Sequence, residues 1–338
     1  MTLLGTGLMP SGAIGTELTA VTRRAFIPRF IVQIYQASPL LAALLQNAQM
    51  ASGGVSSVTV PVQGQAFVNA QMSDYSGGFN QPSVQQGAFE ADFNLALMIT
   101  PIPFLGMEGA VQINAAVIPL IDARMNDSGN ASADLLATKL WNSAGVNSSI
   151  DITSLGDTVG NTGTYGNLSR VTNTWWQSGV GSVGGSPNPT RATILQFIVA
   201  ATKKNGGEMP TLGVCGPGTW TALAQDFVAQ EVYALSPGEG FDQAAGGVRS
   251  LFTALVVAGV PIYLDPYAPE GLFYFINDRY FSVFMHEDAA FAFTGFASTL
   301  PNMQLGYIGA LVAVLQTVLV KAKAATVVSG FGSVNVTV

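Results

Sequence analysis

A single cysteine, Cys215, and a single histidine, His286, occur in the 338 residues. One cysteine excludes an intrachain disulfide and a multi-cysteine zinc site, and in "TLGVCGPGTW" Cys215 reads as a small buried apolar residue. One histidine leaves any nucleophile with one base to choose from. His286 stands beside Glu287 and Asp288, but neighbours at a strand end point in alternate directions and no second His or Cys cluster completes a metal site. It reads as a packed or solvated side chain. Charge is scarce as well: Asp, Glu, Lys and Arg make up 10% of residues, against about 25% in an ordinary soluble chain. From residue 51 to residue 100 there is no Lys, Arg or His at all. Hydrophobic residues reach 49% and mean hydropathy is +0.38. Yet no uninterrupted apolar run attains the roughly 18–20 residues of a membrane-crossing helix. No Lys or Arg precedes Arg23, so the basic start of a secretory leader is missing.

Too few charges to cover its own surface suggest a chain that hides much of that surface against copies of itself. A monomer coated in Ser, Thr, Asn and Gln is the alternative. The net charge of −7 argues against a nucleic-acid reader that needs a basic stripe. It leaves room for a container that holds nucleic acid without gluing it down. Signatures of chemistry are absent: no Gly-x-Ser-x-Gly elbow, no phosphate-cradling loop, no Gly-x-Gly-x-x-Gly after a strand. Asp151 and Asp157 match no calcium-loop spacing and read as turn residues. Asn167-Leu168-Ser169 is a glycosylation triplet of the kind that arises by chance. The reading is a protein that is not an enzyme, with no catalytic residue, cofactor or metal. A hydrolase whose carboxylates are brought together only by the fold is a distant alternative.

Along the chain, residues 1 to about 34 read as an extended arm that ends in the densest basic patch, Arg23, Arg24 and Arg29. Ser38-Pro39 opens a helix. "SVTVPV" (57–62) and "FEADFNLALMI" (89–99) read as strands around a Gly-, Gln- and Asn-rich span far longer than a hairpin turn, which suggests a loop that reaches out. Apolar spacing over 106–143 predicts a long helix, interrupted or kinked at Pro119 or at "NDSGN". "TRATILQFIVAATKKNGG" is the clearest helix, with Thr190 as N-cap, Ile194, Leu195, Ile198 and Val199 on one face, and Asn205-Gly206 as the stop. "GTWTALAQDFVAQ" reads as a second helix, and short β-like runs follow. One of them, "LGYIGALVAVLQTVLV" (305–320), reads as buried strand despite its Gln. The class is α+β, not an alternating βαβ sheet.

Two of the four tryptophans stand side by side in "TYGNLSRVTNTWWQSG", residues 164–179, which holds one Arg and no carboxylate. This stretch resembles the Tyr-Gly-Gly-Ile-Asp/Ser-Arg-x-Thr-Asn-x-Trp-Trp segment of tailed double-stranded-DNA bacteriophage major capsid proteins. Tyr165, Gly166, Arg170, Thr172, Asn173, Trp175 and Trp176 fit; Asn167 replaces the usual second Gly. "GEMPTLGVCGPGTWTAL" and "GGVRSLFTALVVAGVPIYLDPYAPEGLFYFINDRYFSVFMHED" resemble further segments of that family, in the same order. The resemblance covers most of the chain after about residue 55.

It implies the Hong Kong 97-type capsid fold, shared with encapsulins. In it, residues 1–55 become the N-terminal arm, 56–105 an extended β-hairpin loop (the E-loop) and 106–144 the spine helix of a peripheral domain. Residues 145–275 become the axial domain, and 276–338 return strands of the peripheral domain. The implied function is an icosahedral shell of pentamers and hexamers around double-stranded DNA, assembled in the host cytoplasm and carried in the virion. Expected partners are copies of itself, a portal, a separate scaffolding protein, a cement or decoration protein, and non-specific contact with the packaged DNA. No membrane is involved. The expectation of a separate scaffold rests on the start at Met1 without a long coiled segment.

Some relatives join Lys to Asn across subunits; a loop without Lys implies no such cross-link here. Tyr165, Gly166, Arg170, Trp175 and Trp176 become a structural anchor where the chain enters the axial domain. Arg170 fixes the turn by hydrogen bonds, and burial within the subunit is favoured over burial between subunits. Arg23, Arg24 and Arg29 face DNA or an acidic neighbour, or make local salt bridges. An encapsulin-like compartment and a secreted β-rich surface protein are the other readings.

Overall fold

This computed structural model describes residues 38–52, 56–64, 72, 87–105, 120–142, 150–231, 255–298 and 306–334. Arg23, Arg24 and Arg29, most of the reaching loop, and residues 106–119 with Pro119 lie outside them. The chain divides into two compact units. The smaller takes in Ile99–Leu135 and Phe291–Val312; the larger takes in Gln36–Met98, Leu136–Ala290 and Ala313–Val338.

The larger unit is organised by a mixed six-stranded sheet. Its strands run β7 (Gly179–Ser182), β16 (Ala325–Ser329), β11 (Leu272–Ile276), β8 (Leu212–Cys215), β10 (Val260–Leu264) and β9 (Leu255–Val257). β11 pairs antiparallel with both β16 and β8, from Leu272↔Ser329 and from Phe273↔Cys215, and β8 lies parallel to β10. Every residue of β8 is buried, which suits a strand covered on both faces. The core holds Cys215, Ile262, Phe273, Phe275, Val328 and Phe331, with Ile194 and Ile198 brought by helix α4 (Arg191–Lys204) and Leu223 by α5 (Pro217–Glu231). The sequence expectation placed every strand after 276 in one returning set. Instead β16 joins β7 and β11. β12 (Phe281–His286) pairs elsewhere, with the second half of β15 (Gly306–Leu319), from Phe281↔Leu319 to Met285↔Leu315. The parallel partner of β12 is β1 (Gln49–Ala51).

Helix α4 begins where Thr190 Oγ1 accepts from Thr193 N, and it ends at Asn205, followed by Gly206 at φ +80°. Its buried stripe is Ile194, Ile198 and Ala201, whereas Leu195 and Val199 are exposed. The expected face was therefore one position too wide: steps of 3, 4 and 7 share a face, and each adjacent residue lies about 100° around it. Helix α1 (Pro39–Gln46) uses Ser38 as N-cap and buries Leu40, Leu41 and Leu44, and the single-turn α3 (Leu155–Thr158) uses Ser154.

Two further expectations are corrected. "FEADFNLALMI" is not one strand; it breaks at Leu95 into β3 (Ala88–Asn94) and β4 (Ala96–Leu105). "NDSGN" does not interrupt the helix, because α2 (Leu120–Trp141) runs through it. Buried Ser128 and Ser132 sit one turn apart, and Ser132 Oγ donates to Ser128 O at 2.8 Å while meeting Thr100 Oγ1 at 2.8 Å. The Ser132 hydroxyl thus finds a backbone and a side-chain partner inside the helix, whereas the buried Ser128 hydroxyl has none among the described residues.

In the smaller unit, β13 (Ala292–Phe293) and β14 (Ala297–Ser298) pair with the first half of β15. In the same unit, Arg124 donates to Pro103 O at 3.0 Å. Among the described residues no helix is long and apolar enough to cross a membrane.

Candidate assembly site at the root of the extended ribbon

The Trp-Trp segment folds against a two-stranded ribbon. β2 (Ser57–Gln63) and β3 pair antiparallel from Ser57↔Asn94 to Gln63↔Ala88. Gly64 N donates to Gly87 O at 2.9 Å and closes the described part of the ribbon.

The segment itself starts as a hairpin, β5 (Thr164–Tyr165) with β6 (Leu168–Ser169). Its two turn residues, Gly166 and Asn167, have φ of +57° and +61°. A two-residue hairpin turn requires positive φ at both centres, which Gly adopts freely and Asn more readily than other side chains. That explains why Asn167 stands where the resembled segment has Gly. Gly166 is also a seat. A Cβ there would lie 2.8 Å from Phe93 Cζ and 3.0 Å from Ala91 Cβ, and Gly166 O accepts from Asp92 N at 3.1 Å.

Behind the hairpin, Tyr165 and Trp176 are among the largest fully buried side chains. Trp176 belongs to a 3-10 turn, Thr174–Trp176, and its Nε1 donates to Tyr165 O at 2.9 Å. Its ring stacks on Tyr165 at 5.8 Å, and Tyr165 meets Phe93 of the ribbon at 5.0 Å. Tyr165 Oη accepts from Leu319 N at 2.7 Å. Burial pushes the Tyr165 hydroxyl far above its ordinary value, only partly offset by that hydrogen bond and by Arg170.

Arg170 is the cation of the site. It is buried, and its guanidinium donates to Asp157 O at 3.0 Å, to Thr162 O at 3.4 Å and to Thr158 O. It also lies over the Tyr165 ring, 4.8 Å from the centroid. Burial lowers its pKa, while Tyr165 and Asp157 work the other way; an arginine stays protonated regardless. Five planar donors suit a cluster of carbonyls at a loop's inner side, where no other residue could satisfy so many at once.

The structure thus brings Tyr165, Gly166, Arg170 and Trp176 together inside the larger unit. Trp175 is separate: it is half-buried and points at the ribbon, 4.9 Å from Phe89 and 5.8 Å from Trp176.

Several residues that hold this region escaped the sequence reading. Gln316, fully buried in β15, accepts from Thr153 N at 2.7 Å and Thr317 N at 3.0 Å, and donates to Asn94 O at 2.6 Å. One Gln inside an otherwise apolar run was the available signal, since a buried amide must find partners. Gly64 was missed as well, with no signal beyond its being a glycine in a strand pattern.

Elsewhere, the loop "DPYAPEG" (265–271) carries two carboxylates. Glu270 accepts from Gly218 N, Thr219 N and Thr219 Oγ1, each at 2.8 Å, and so caps α5. Asp265 is buried and accepts from Ser38 Oγ and from Tyr267 N at 3.0 Å. Burial raises its pKa, and these bonds oppose the rise.

Residues weighed for chemistry have structural surroundings. Asp151 pairs with Lys139 at 2.8 Å; Asp157 accepts from Ser154 Oγ, which in turn accepts from Asp157 N. His286 Nδ1 accepts from Asp288 N at 3.2 Å. Cys215 is buried, with its thiol pKa pushed well up by burial. Among the described residues no group of three or more His, Cys, Asp or Glu is placed to hold a metal ion.

No protein-family model matches the chain, and no curated protein does. Solved structures do. A chain of the cyanophage A-1(L) capsid is similar at TM-score 0.67 and 12% identity, over 94% of this chain and 98% of that one. The holo-SrpI encapsulin of Synechococcus elongatus PCC 7942 is similar at TM-score 0.61 and 11% identity, over 98% and 99%. The capsid of the Myoviridae phage XM1 is similar at TM-score 0.55 and 10% identity, over 91% and 97%. With matches that cover nine-tenths or more of both chains, and with the α+β order already described, this chain has the Hong Kong 97-type capsid fold.

Proposed function

We propose that this chain is a shell subunit, the major capsid protein of a tailed bacteriophage, which self-assembles into pentamers and hexamers around double-stranded DNA. The observation that carries this reading is the near end-to-end, two-way match to capsid chains. Composition supports it: few charges, a net −7 and abundant apolar residues suit a subunit that buries large faces against copies of itself and does not grip a polyanion. Within that reading, residues 1–55 are the arm, 56–105 the extended loop, 106–144 the spine, and 145–275 with β16 the axial domain. The other strands after 276 belong to the peripheral domain. Tyr165, Gly166, Arg170, Trp175 and Trp176 anchor the root of the extended loop. A scaffolding protein, a portal and a cement protein are its partners, and the role is structural, not enzymatic.

A compartment that holds cargo proteins is the second reading, favoured by the 98% coverage against the SrpI encapsulin. Sedimentation of the expressed chain, with negative-stain microscopy and nucleic-acid absorbance on the fast fraction, separates the two. DNA-bearing icosahedral shells from infected cells support the capsid; protein-filled shells support the compartment. Absence of any shell, even with neighbouring genes co-expressed, overturns both.

A further inference from the structure

The β2–β3 ribbon touches the larger unit's body at two places along its length. The inner one is Ala91–Asn94, which rests on Gly166, Tyr165 and Gln316. The outer one is Gly64 and Phe89, which rest on Trp175. Phe89 and Phe93 are four residues apart, about 13 Å along a strand. Two supports at that separation fix a direction, whereas one would leave the ribbon free to tilt about it.

Trp176 and Tyr165 are core residues, and their burial accounts for them without reference to the ribbon. Trp175 is different: it is half-buried, and no hydrogen bond is needed to explain its position. Its indole fills the space a side chain at position 64 would take. A Cβ on Gly64 would stand 2.3 Å from Trp175 Cζ2 and 2.4 Å from Cε2, while a Cβ on Gly87, directly across the ribbon, would meet nothing within 4 Å. The two glycines that close the ribbon are therefore unequal, and only one is required by a neighbour. Seating an alanine at position 64 demands a displacement of roughly 1–1.5 Å to restore ordinary carbon–carbon contact.

We propose that Trp175 is a positioning residue: by bearing on Gly64 and Phe89 it sets the angle at which the ribbon leaves the body, and with it the direction in which the Gly64–Gly87 end is presented to a neighbouring copy. Presentation to a neighbour rests on the shell reading; the angle itself does not.

The test uses the full chain with spin labels at exposed Gln63→Cys and Ser182→Cys; Cys215 is buried and remains unlabelled. Double electron–electron resonance on the unassembled chain reads the ribbon angle, urea denaturation reads stability, and microscopy reads particle form. One narrow distance is expected in the parent. Trp175→Ala and Gly64→Ala should broaden or shift it, whereas Gly87→Ala and the conservative Trp175→Phe should leave it narrow. Particles should follow the same division, malformed or mixed in size for the first two and uniform for the others. A merely stabilising role would lower the urea midpoint and leave the distance alone. Unchanged distances in Trp175→Ala and Gly64→Ala overturn the proposal. If the parent forms no shells under any condition, the shell reading fails, and the distances still decide the positioning role.

Discussion

Thr164–Ser178 and Asp265–Gly271 both fasten parts of the larger unit, by opposite means. The first contains no carboxylate; it relies on Tyr165 and Trp176, and on one buried arginine solvated by carbonyls. The second carries Asp265 and Glu270, each aimed at donors on another element. Aromatic contact is strong in total area but weak in direction, since ring pairs accept a range of offsets and tilts. Carboxylate-to-amide bonds fall away steeply with distance and angle. The ribbon is thus seated on rings and glycines, while helix termini are held by charge-assisted hydrogen bonds.

The largest expected effect lies on the aromatic side. Trp176→Ala should cost about 3–5 kcal/mol of stability, because it removes a buried indole together with its hydrogen bond to the Tyr165 carbonyl. Chemical denaturation measures it; a cost below about 1 kcal/mol would mean that the root is not part of the core. Glu270→Ala should cost less, about 2 kcal/mol, since it leaves Gly218 N, Thr219 N and the Thr219 hydroxyl without their acceptor. Glu270→Gln should recover part of that, because one amide oxygen still accepts. If Glu270→Ala proved costlier than Trp176→Ala, the comparison would invert.

The seats can be separated from the turn. Gly163 and Gly166 both have positive φ, but a Cβ on Gly163 meets open space while one on Gly166 meets Phe93 and Ala91. Gly163→Ala should show the backbone cost alone, about 1–2 kcal/mol. Gly166→Ala should exceed it by the contact with the ribbon. Equal urea midpoints for the two would remove Gly166 from the ribbon's support.

Much of the architecture was legible because local chemistry and tertiary need agreed. Ser38-Pro39 and Thr190 marked helix starts, Asn205-Gly206 a helix end, and the run at 305–320 a strand. What failed did so where a neighbour overruled the local pattern. Leu95 breaks an apparently continuous strand, and α2 runs through "NDSGN", where Ser128 O takes the Ser132 hydroxyl. β16 crosses to β7 and β11, and no periodicity within a strand states its ladder partner. In the site, Tyr165, Gly166, Arg170 and Trp176 were visible as an unusual segment. The division of labour between the tryptophans was not, because it depends on Gly64 and Phe89, more than eighty residues earlier. Nor could Glu270 be matched to α5, fifty residues away in sequence, since a cap supplied from another loop leaves no mark beside the helix it serves.

The smallest expected effect concerns pH and the carboxylate loop. Burial raises the Asp265 carboxyl above its unfolded value, so the folded state favours the protonated form. The stability this group contributes is fully present below the unfolded value of about 3.9 and declines as pH rises through the folded one. Asp265→Asn keeps an oxygen for Ser38 and Tyr267 but cannot ionise. Urea midpoints followed from pH 4 upward should therefore converge with the parent at the acid end and separate toward neutrality, with the variant losing less. That direction distinguishes a carboxylate strained by burial from one stabilised by its donors. Were the parent instead to gain relative to Asp265→Asn as pH rises, the bonds from Ser38 and Tyr267 would outweigh desolvation. The carboxylate loop would then be held by a favourable charge at both of its acids.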